Sequence, residues 1–559
     1  MSSRWFKLCK SKLIGILLIF VLFLAMSCTA AATEGKNIRA MRTSFLTPYY
    51  IDPAVGYDYA SSVLLVNIHD PLVAPNEDGR EVVPHVAKSW TVSDDSLTYT
   101  FEIRPGIKFH NGDELTAEDV AFSLQRMLDI GEGYAYLFIG IVDKIEVLDE
   151  YKLRITNSKP FGPFLQTLVK CGIVNKSQVM AHLGDGPYGE FGDYGKNWLL
   201  RNDAASGPYK VLSIEMNSHI SLEKFGDYWA GWENENAPEY VEIVATLEAA
   251  TSQNLLANGS LEMTSFGYAP EIFDQWDKLP NVDIASWFDS QFYNFLLNNK
   301  KPPTDDVHFR RALNYILDRE TVYESIFPGS RPIAIVPESL PGSDPNLEGF
   351  KKNIDKAKEE LQKSPYYEEL DNYPIEVYYP SEATQLPPLA LLFQANCAEI
   401  GITVDIRAVP WLTIVETAAS VESAPNAGII NIAANYPEAG AILESLFHQK
   451  SKGTWEQLAW LEEPELDAKI DDAVATIDNE ERYQKYYAIQ EELFPRAINV
   501  QICEWPQRVA FREDYVVIPA YERTKKGLEA NPILGYCFYF RDYQIFPEKA
   551  NDPYTPFIP

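Results

Sequence analysis

Between residues 84 and 129 the spacing of apolar side chains changes period. Leu97-Thr98-Tyr99-Thr100-Phe101-Glu102-Ile103-Arg104 alternates apolar and polar residues at every step, which predicts a strand with one buried face. Pro105-Gly106 ends it in a turn, and Asn111-Gly112-Asp113 marks a second turn. From Thr116 the pattern becomes helical. Thr116 can cap the free N–H groups of a first turn, and Glu118 and Asp119 lie near the positive end of the helix dipole. Val120, Leu124 and Met127 continue one apolar face.

Both periods recur further along. Ile145-Glu146-Val147-Leu148 and Tyr151-Lys152-Leu153-Arg154-Ile155 flank Asp149-Glu150 and predict a hairpin. Phe309, Ala312, Leu313, Ile316 and Leu317 form an amphipathic helix face. Leu391 to Ile400 predicts a helix with Gly401 as its C-cap, and Ile402 to Val409 a strand after it. Glu480 to Phe494 predicts a helix that stops before Pro495. Strands and helices mixed over 559 residues predict an α/β or α+β chain with room for several domains.

The N-terminus follows another logic. Arg4, Lys7, Lys10 and Lys12 precede an apolar run from Leu13 to Met26, short for a bilayer span and right for an export signal. Ala25-Met26-Ser27-Cys28 resembles the bacterial lipobox, which predicts cleavage after residue 27 and a lipid on Cys28. Ala30-Ala31-Ala32 offers a competing site for simple secretion. Residues 28–37 are small and polar and read as a tether. No later run is long enough to span a membrane.

Charge and composition then remove function classes. A net charge of −32 excludes the basic patches that nucleic-acid binding needs. The seven histidines lack ligand spacing, and Cys171, Cys397, Cys503 and Cys537 form no C-x-x-C, so no metal site or cofactor is expected. Those four cysteines pair or stay free; spacing does not choose. A secreted hydrolase is the rival reading, but neither a G-x-S-x-G turn nor H-E-x-x-H occurs, so no catalytic residues are assigned. With 13% aromatics, most rings pack in cores, and some are expected to wall a ligand cleft.

The run Asp70-Pro71-Leu72-Val73, Pro84-His85-Val86-Ala87-Lys88-Ser89-Trp90, Tyr99 to Asn111-Gly112 and Thr116-Ala117-Glu118-Asp119-Val120 resembles the family 5 bacterial extracellular solute-binding proteins. Ser206-Gly207-Pro208-Tyr209-Lys210, Phe309 to Arg319, Cys397 to Ile402 and Ala434-Asn435-Tyr436-Pro437-Glu438 follow in that family's order. The resemblance implies an α/β, two-lobed, periplasmic-binding-protein-like fold of type II with an extra domain on the N-terminal lobe. By analogy the extra domain spans about 79–205. Lobe I takes 38–78, 206–300 and 515–559, and lobe II takes 301–514.

It also implies a role. A monomeric receptor closes two lobes over a ligand and presents the closed form to an ABC permease and its ATPase. Oligopeptides are the first expectation for cargo, and an oligosaccharide or other neutral solute the second. A ligand-sensing receptor and a metal-complex or haem carrier are further readings. Peptide binders of the family resemble one another in using the Asp of an Ala-Asp-Tyr segment to hold the peptide α-ammonium. Asn435 stands at that position, which puts free-amine peptides in doubt and suits a neutral ligand, because an amide both donates and accepts. Ligand contacts are expected from Asn435, Tyr436 and Trp411, with Trp505 and Tyr57 as further aromatic candidates. Turn and cap residues of the signature are expected to be scaffold.

Overall fold

Strand alternation builds the small domain first. The computed structural model describes residues 38–45, 50–215, 218–245, 247–381, 383 and 385–557. The export segment, Cys28 and the tether lie outside them. Thr98–Ile103 pairs antiparallel with Ala87–Val92 and with Lys152–Asn157, and Val142–Asp149 closes a four-stranded sheet. Tyr99, Phe101, Ile103, Leu153 and Ile155 point into the core, while the edge strand 142–149 stays largely accessible. Helix Ala117–Ile130 covers the buried face with Val120, Leu124 and Met127. Its start is the predicted cap: Thr116 donates its backbone N–H to Asp119 Oδ2 at 2.9 Å.

Lobe I is a four-stranded sheet in the order Ala40–Phe45, Tyr240–Ala245, His219–Lys224 and Tyr209–Glu215. The small domain is held to it by buried polar anchors. Arg126 forks onto Asp52 at 2.5 and 2.6 Å, with both side chains sealed from solvent. Asp70, at the head of the signature, accepts from His85, Tyr228, Trp229 and Ser206. The signature residues Asp70 and His85 are therefore mortar between units.

Lobe II is a five-stranded mixed sheet in the order Val404–Val409, Ile375–Pro380, Ala427–Ile432, Phe292–Leu297 and Val500–Glu504. Phe292–Leu297 is buried at all six positions, because helices and loops cover both faces. This moves a boundary. The expected division left residues up to 300 in lobe I, but 292–297 is an inner strand of lobe II. The expected end of lobe II at 514 also shifts, because Gln507–Arg512 pairs antiparallel with Val282–Trp287. The lobes are thus joined by two crossings, at 288–291 and 505–506. Helices Val307–Ile316, Pro387–Ala398 and Asn479–Leu493 lie where the periodicity predicts them. The four described cysteines are buried free thiols. Among the described residues no helix is long and apolar enough to cross a membrane.

Candidate functional site

The loop after helix 117–130 carries Gly133-Tyr134-Ala135-Tyr136, and Tyr57 from lobe I meets it. Tyr57 packs edge-on to Tyr134 with ring centroids 6.5 Å apart, and Tyr136 lies 6.4 Å beyond Tyr134. Tyr134 is fixed from behind: its hydroxyl lies 2.9 Å from Ser62 Oγ, and Lys170 Nζ sits 5.0 Å over its ring. Burial pushes the Lys170 ammonium down to about 7. Tyr57 and Tyr136 remain 54% and 48% exposed. Tyr136 nevertheless has its hydroxyl pushed well above the ordinary value, first by burial, then by Tyr134, Glu456 and Tyr57. The Glu456 carboxylate of lobe II is among the groups that raise it.

In lobe II two segments meet near Glu456. Strand 427–432 ends and the chain turns through Asn435 into helix Ala439–Phe447. The loop after that helix brings up Trp455-Glu456. Asn435 hydrogen-bonds the Glu456 carboxyl, whose pKa burial pushes up to about 7 against the lowering effect of that bond. Trp455 packs edge-on to Trp411, 5.1 Å between centroids, at the N-terminus of helix Trp411–Thr417. Among the described residues no Lys, Arg or His pairs with Glu456.

Of the five residues expected as contacts, Tyr57 packs on Tyr134, Trp411 packs on Trp455, and Asn435 lies beside Glu456. Tyr436 is adjacent but inward: 3% exposed, it donates to Glu444 Oε2 at 2.6 Å. Trp505 lies in the hinge. Its ring stacks on Tyr293 at 5.6 Å and its Nε1 donates to Asn431 Oδ1 at 3.0 Å. The cavity beside it is about 40 Å³, room for a few waters and not for a peptide. Glu438 faces away from any ligand, since Arg482 holds both its oxygens at 2.9 and 2.5 Å. Sequence reasoning missed Glu456, Trp455 and Tyr136. Two tyrosines alternating with the small residues Gly133 and Ala135 were a signal for Tyr136; one acid among 80 gave none for Glu456.

At the base, Asp289 ties the crossings together. It accepts from Tyr59 at 2.7 Å, from Gln291 at 3.2 Å and from Gln507 at 3.4 Å, and burial pushes its carboxyl up to about 6. At the rim, Gly162 N–H donates to Val474 O at 2.7 Å, and Phe161 meets the edge of Tyr436 at 5.9 Å. The small domain and lobe II therefore touch across the mouth.

The family model for bacterial extracellular solute-binding proteins, family 5 middle, matches residues 81–454, more than half of the chain. The chain belongs to family 5. Binding and release, with no catalytic step, are thus the activity of this solute-binding protein, and its place is outside the cytoplasm. It is 25% identical over 503 residues to the "Probable D,D-dipeptide-binding periplasmic protein DdpA" of Escherichia coli, covering 88% of this chain and 91% of that one. It is 24% identical to heme-binding protein A of Haemophilus influenzae, covering 83% and 84%. The fold matches that of the Helicobacter pylori periplasmic binding protein DppA in complex with the peptide STSA, with a TM-score of 0.75 and 22% identity, covering 92% and 99%. The bilobed α/β architecture is that of these receptors.

Proposed function

We propose that this family 5 protein captures peptides outside the cytoplasm and delivers them to an ABC permease and its ATPase. The observation that carries the reading is the cleft itself. Tyr57, Tyr134 and Tyr136 cluster beside lobe I, Trp411 packs on Trp455 in lobe II, and two crossings join the lobes. A ligand that touches both walls only when they meet has differential affinity for the closed form, and that difference drives closure. Aromatic walls give apolar contact without demanding one side chain, which suits varied peptides. The D,D-dipeptide relative and the peptide-bound structural relative support that cargo. The chain acts as a monomer held to the membrane through a lipid on Cys28; Cys28→Ala is expected to move it to the soluble fraction on cell fractionation.

The test uses residues 29–559, which contain every element described. Melting temperature is measured with a pool of mixed tri- to pentapeptides and with a pool of neutral oligosaccharides. Ligand that binds the folded state raises its stability. A rise with peptides is expected. A rise with sugars alone overturns the peptide reading and supports the neutral cargo that Asn435 by itself favours.

A further inference from the structure

Where lobe I, the small domain and the C-terminal segment join, the fold holds a buried cation without a counter-ion. Lys170 is 9% exposed. Its Nζ donates to Leu534 O at 3.0 Å and sits 5.0 Å over the Tyr134 ring, and among the described residues it forms no ion pair. An ammonium has three protons to place, and one carbonyl takes one of them. A buried charge in that condition is unfavourable until an anion reaches it. Lys170 lines a cavity of about 30 Å³, room for about two waters or for the two oxygens of a carboxylate. Val66, His69, Pro71 and Tyr536 wall this cavity and also a larger one of about 640 Å³, the size of a small-molecule site. The larger cavity adds Pro75, Pro519 and the Tyr539 ring as flat apolar surface. No residue of lobe II lines either cavity, so both lie outside the cleft between the lobes. The acids on the larger wall are engaged: Glu77 accepts from Arg523 at 2.7 Å, Glu522 pairs with Lys525, Asp70 is filled by four donors, and Asp542 follows Arg541 in the chain. Lys526, exposed on the same wall, adds a positive charge.

We propose that these two cavities form one binding site for a small organic carboxylate, with the carboxylate on Lys170 Nζ in the inner cavity and a flat apolar body against Pro71, Tyr536 and Tyr539 in the outer one. It is a second site, apart from the cleft that closes on peptide, and it stands whether or not the cargo is a peptide. The anion supplies the charge that the chain withholds, and its oxygens accept the ammonium protons that Leu534 leaves over. Proline and tyrosine faces give contact area to a planar group. The walls come from helix Tyr59–Ile68 through Val66, from the small domain through Lys170 and from the C-terminal segment through Tyr536. An occupant therefore ties together three segments distant along the chain, and is expected to raise the melting temperature.

The probe is phenylacetate, with phenylacetamide as its uncharged match, measured by calorimetry on residues 29–559 at pH 6, where Lys170 carries its proton. Wild type is expected to prefer phenylacetate by on the order of tenfold to a hundredfold, the range of a charge-assisted hydrogen bond. Lys170→Met removes the charge and keeps the apolar stem. It is expected to bring the two probes within about twofold of each other. Its ligand-free melting temperature at pH 6 should equal or exceed that of wild type, because a buried unpaired charge is gone. Ala74→Trp fills the outer cavity with Lys170 intact and is expected to weaken both probes by at least about tenfold. If Lys170→Met melts below wild type, the ammonium braces the fold and Ala74→Trp decides the site. A saturating pool of the tri- to pentapeptides is expected to leave the affinity for phenylacetate unchanged. Wild type that binds the probes equally or binds neither, a preference untouched by Lys170→Met, or an affinity untouched by Ala74→Trp overturns the site. Competition by the peptide pool also overturns it, by placing the anion in the cleft. None of these results decides the peptide reading, which rests on the melting test with peptide and sugar pools.

Discussion

Glu438 and Glu456 lie in the same lobe and serve opposite ends. Glu438 is 1% exposed, and its two oxygens are filled by the Arg482 fork and by the hydroxyls of Tyr483 and Tyr486. Glu456, partly buried, has the Asn435 amide as its partner, and burial pushes it up to about 7. The first carboxylate is complete within the fold and welds helix 479–493 to the turn before helix 439–447. The second is incomplete within the fold. The difference is one of counter-charge: Arg482 supplies it to Glu438, and among the described residues no Lys, Arg or His pairs with Glu456.

Breaking the complete pair should have the larger effect on stability. Arg482→Met leaves Glu438 buried without a partner and is expected to cost about 3–5 kcal/mol, read from the denaturation midpoint. The next effect tests the rim. A Cβ at Gly162 would lie 2.3 Å from Thr476 O and 2.6 Å from Arg482 Nη1. Gly162→Ala is therefore expected to push the small domain off lobe II, weakening ligand binding by about tenfold through a penalty on the closed form alone. Solution scattering should show a larger radius of gyration in the presence of ligand than for wild type.

The smallest effect sharpens the comparison through pH. The folded-state pKa of Glu456 lies above its unfolded value, so the folded chain binds the proton more tightly. Stability from this group is present at low pH and is lost as pH rises through about 7. Glu456→Gln should therefore stabilise the ligand-free protein at pH 8, by on the order of 1 kcal/mol after solvent screening, with the gain vanishing near pH 5. Tyr136 across the gap stays neutral over that window, and Lys170 behind Tyr134 is the other group near the wall that titrates near 7. A control at Lys170→Met separates the two. Melting curves from pH 5 to 8 check the sign.

Local structure was legible where it has local causes. The strand at 98–103, the cap at Thr116 and the helix at 479–493 each depend on neighbours within a few residues, so period and cap residues disclosed them. The lobe boundaries were not legible to within a strand. Phe292–Leu297 is equally apolar as the last strand of one lobe or an inner strand of the next, and only its partners at 427–432 and 500–504 decide. The surroundings of the expected contacts were less legible. Asn435 and Trp411 were named through the order of family segments and Tyr57 through its chemistry, but their neighbours Glu456, Trp455 and Tyr134 are distant along the chain and carried no local signal. Trp505 stacks on Tyr293 beside a crossing, a packing role that a large ring takes as readily as any other.

Strand Ala40–Phe45 pairs in parallel with Tyr240–Ala245, and Ala40 is clasped through both its N–H and its carbonyl by the Tyr554 hydroxyl. The first strand to emerge from a ribosome or a translocation pore must therefore wait for almost the whole polypeptide before its last bond can form. Lobe II, continuous from 292 to 504, carries no such delay. The bonds that Tyr554 makes to Ala40 can therefore form only after all of lobe II has been synthesised. A chaperone that shields the nascent segment has its longest task at residues 40–45.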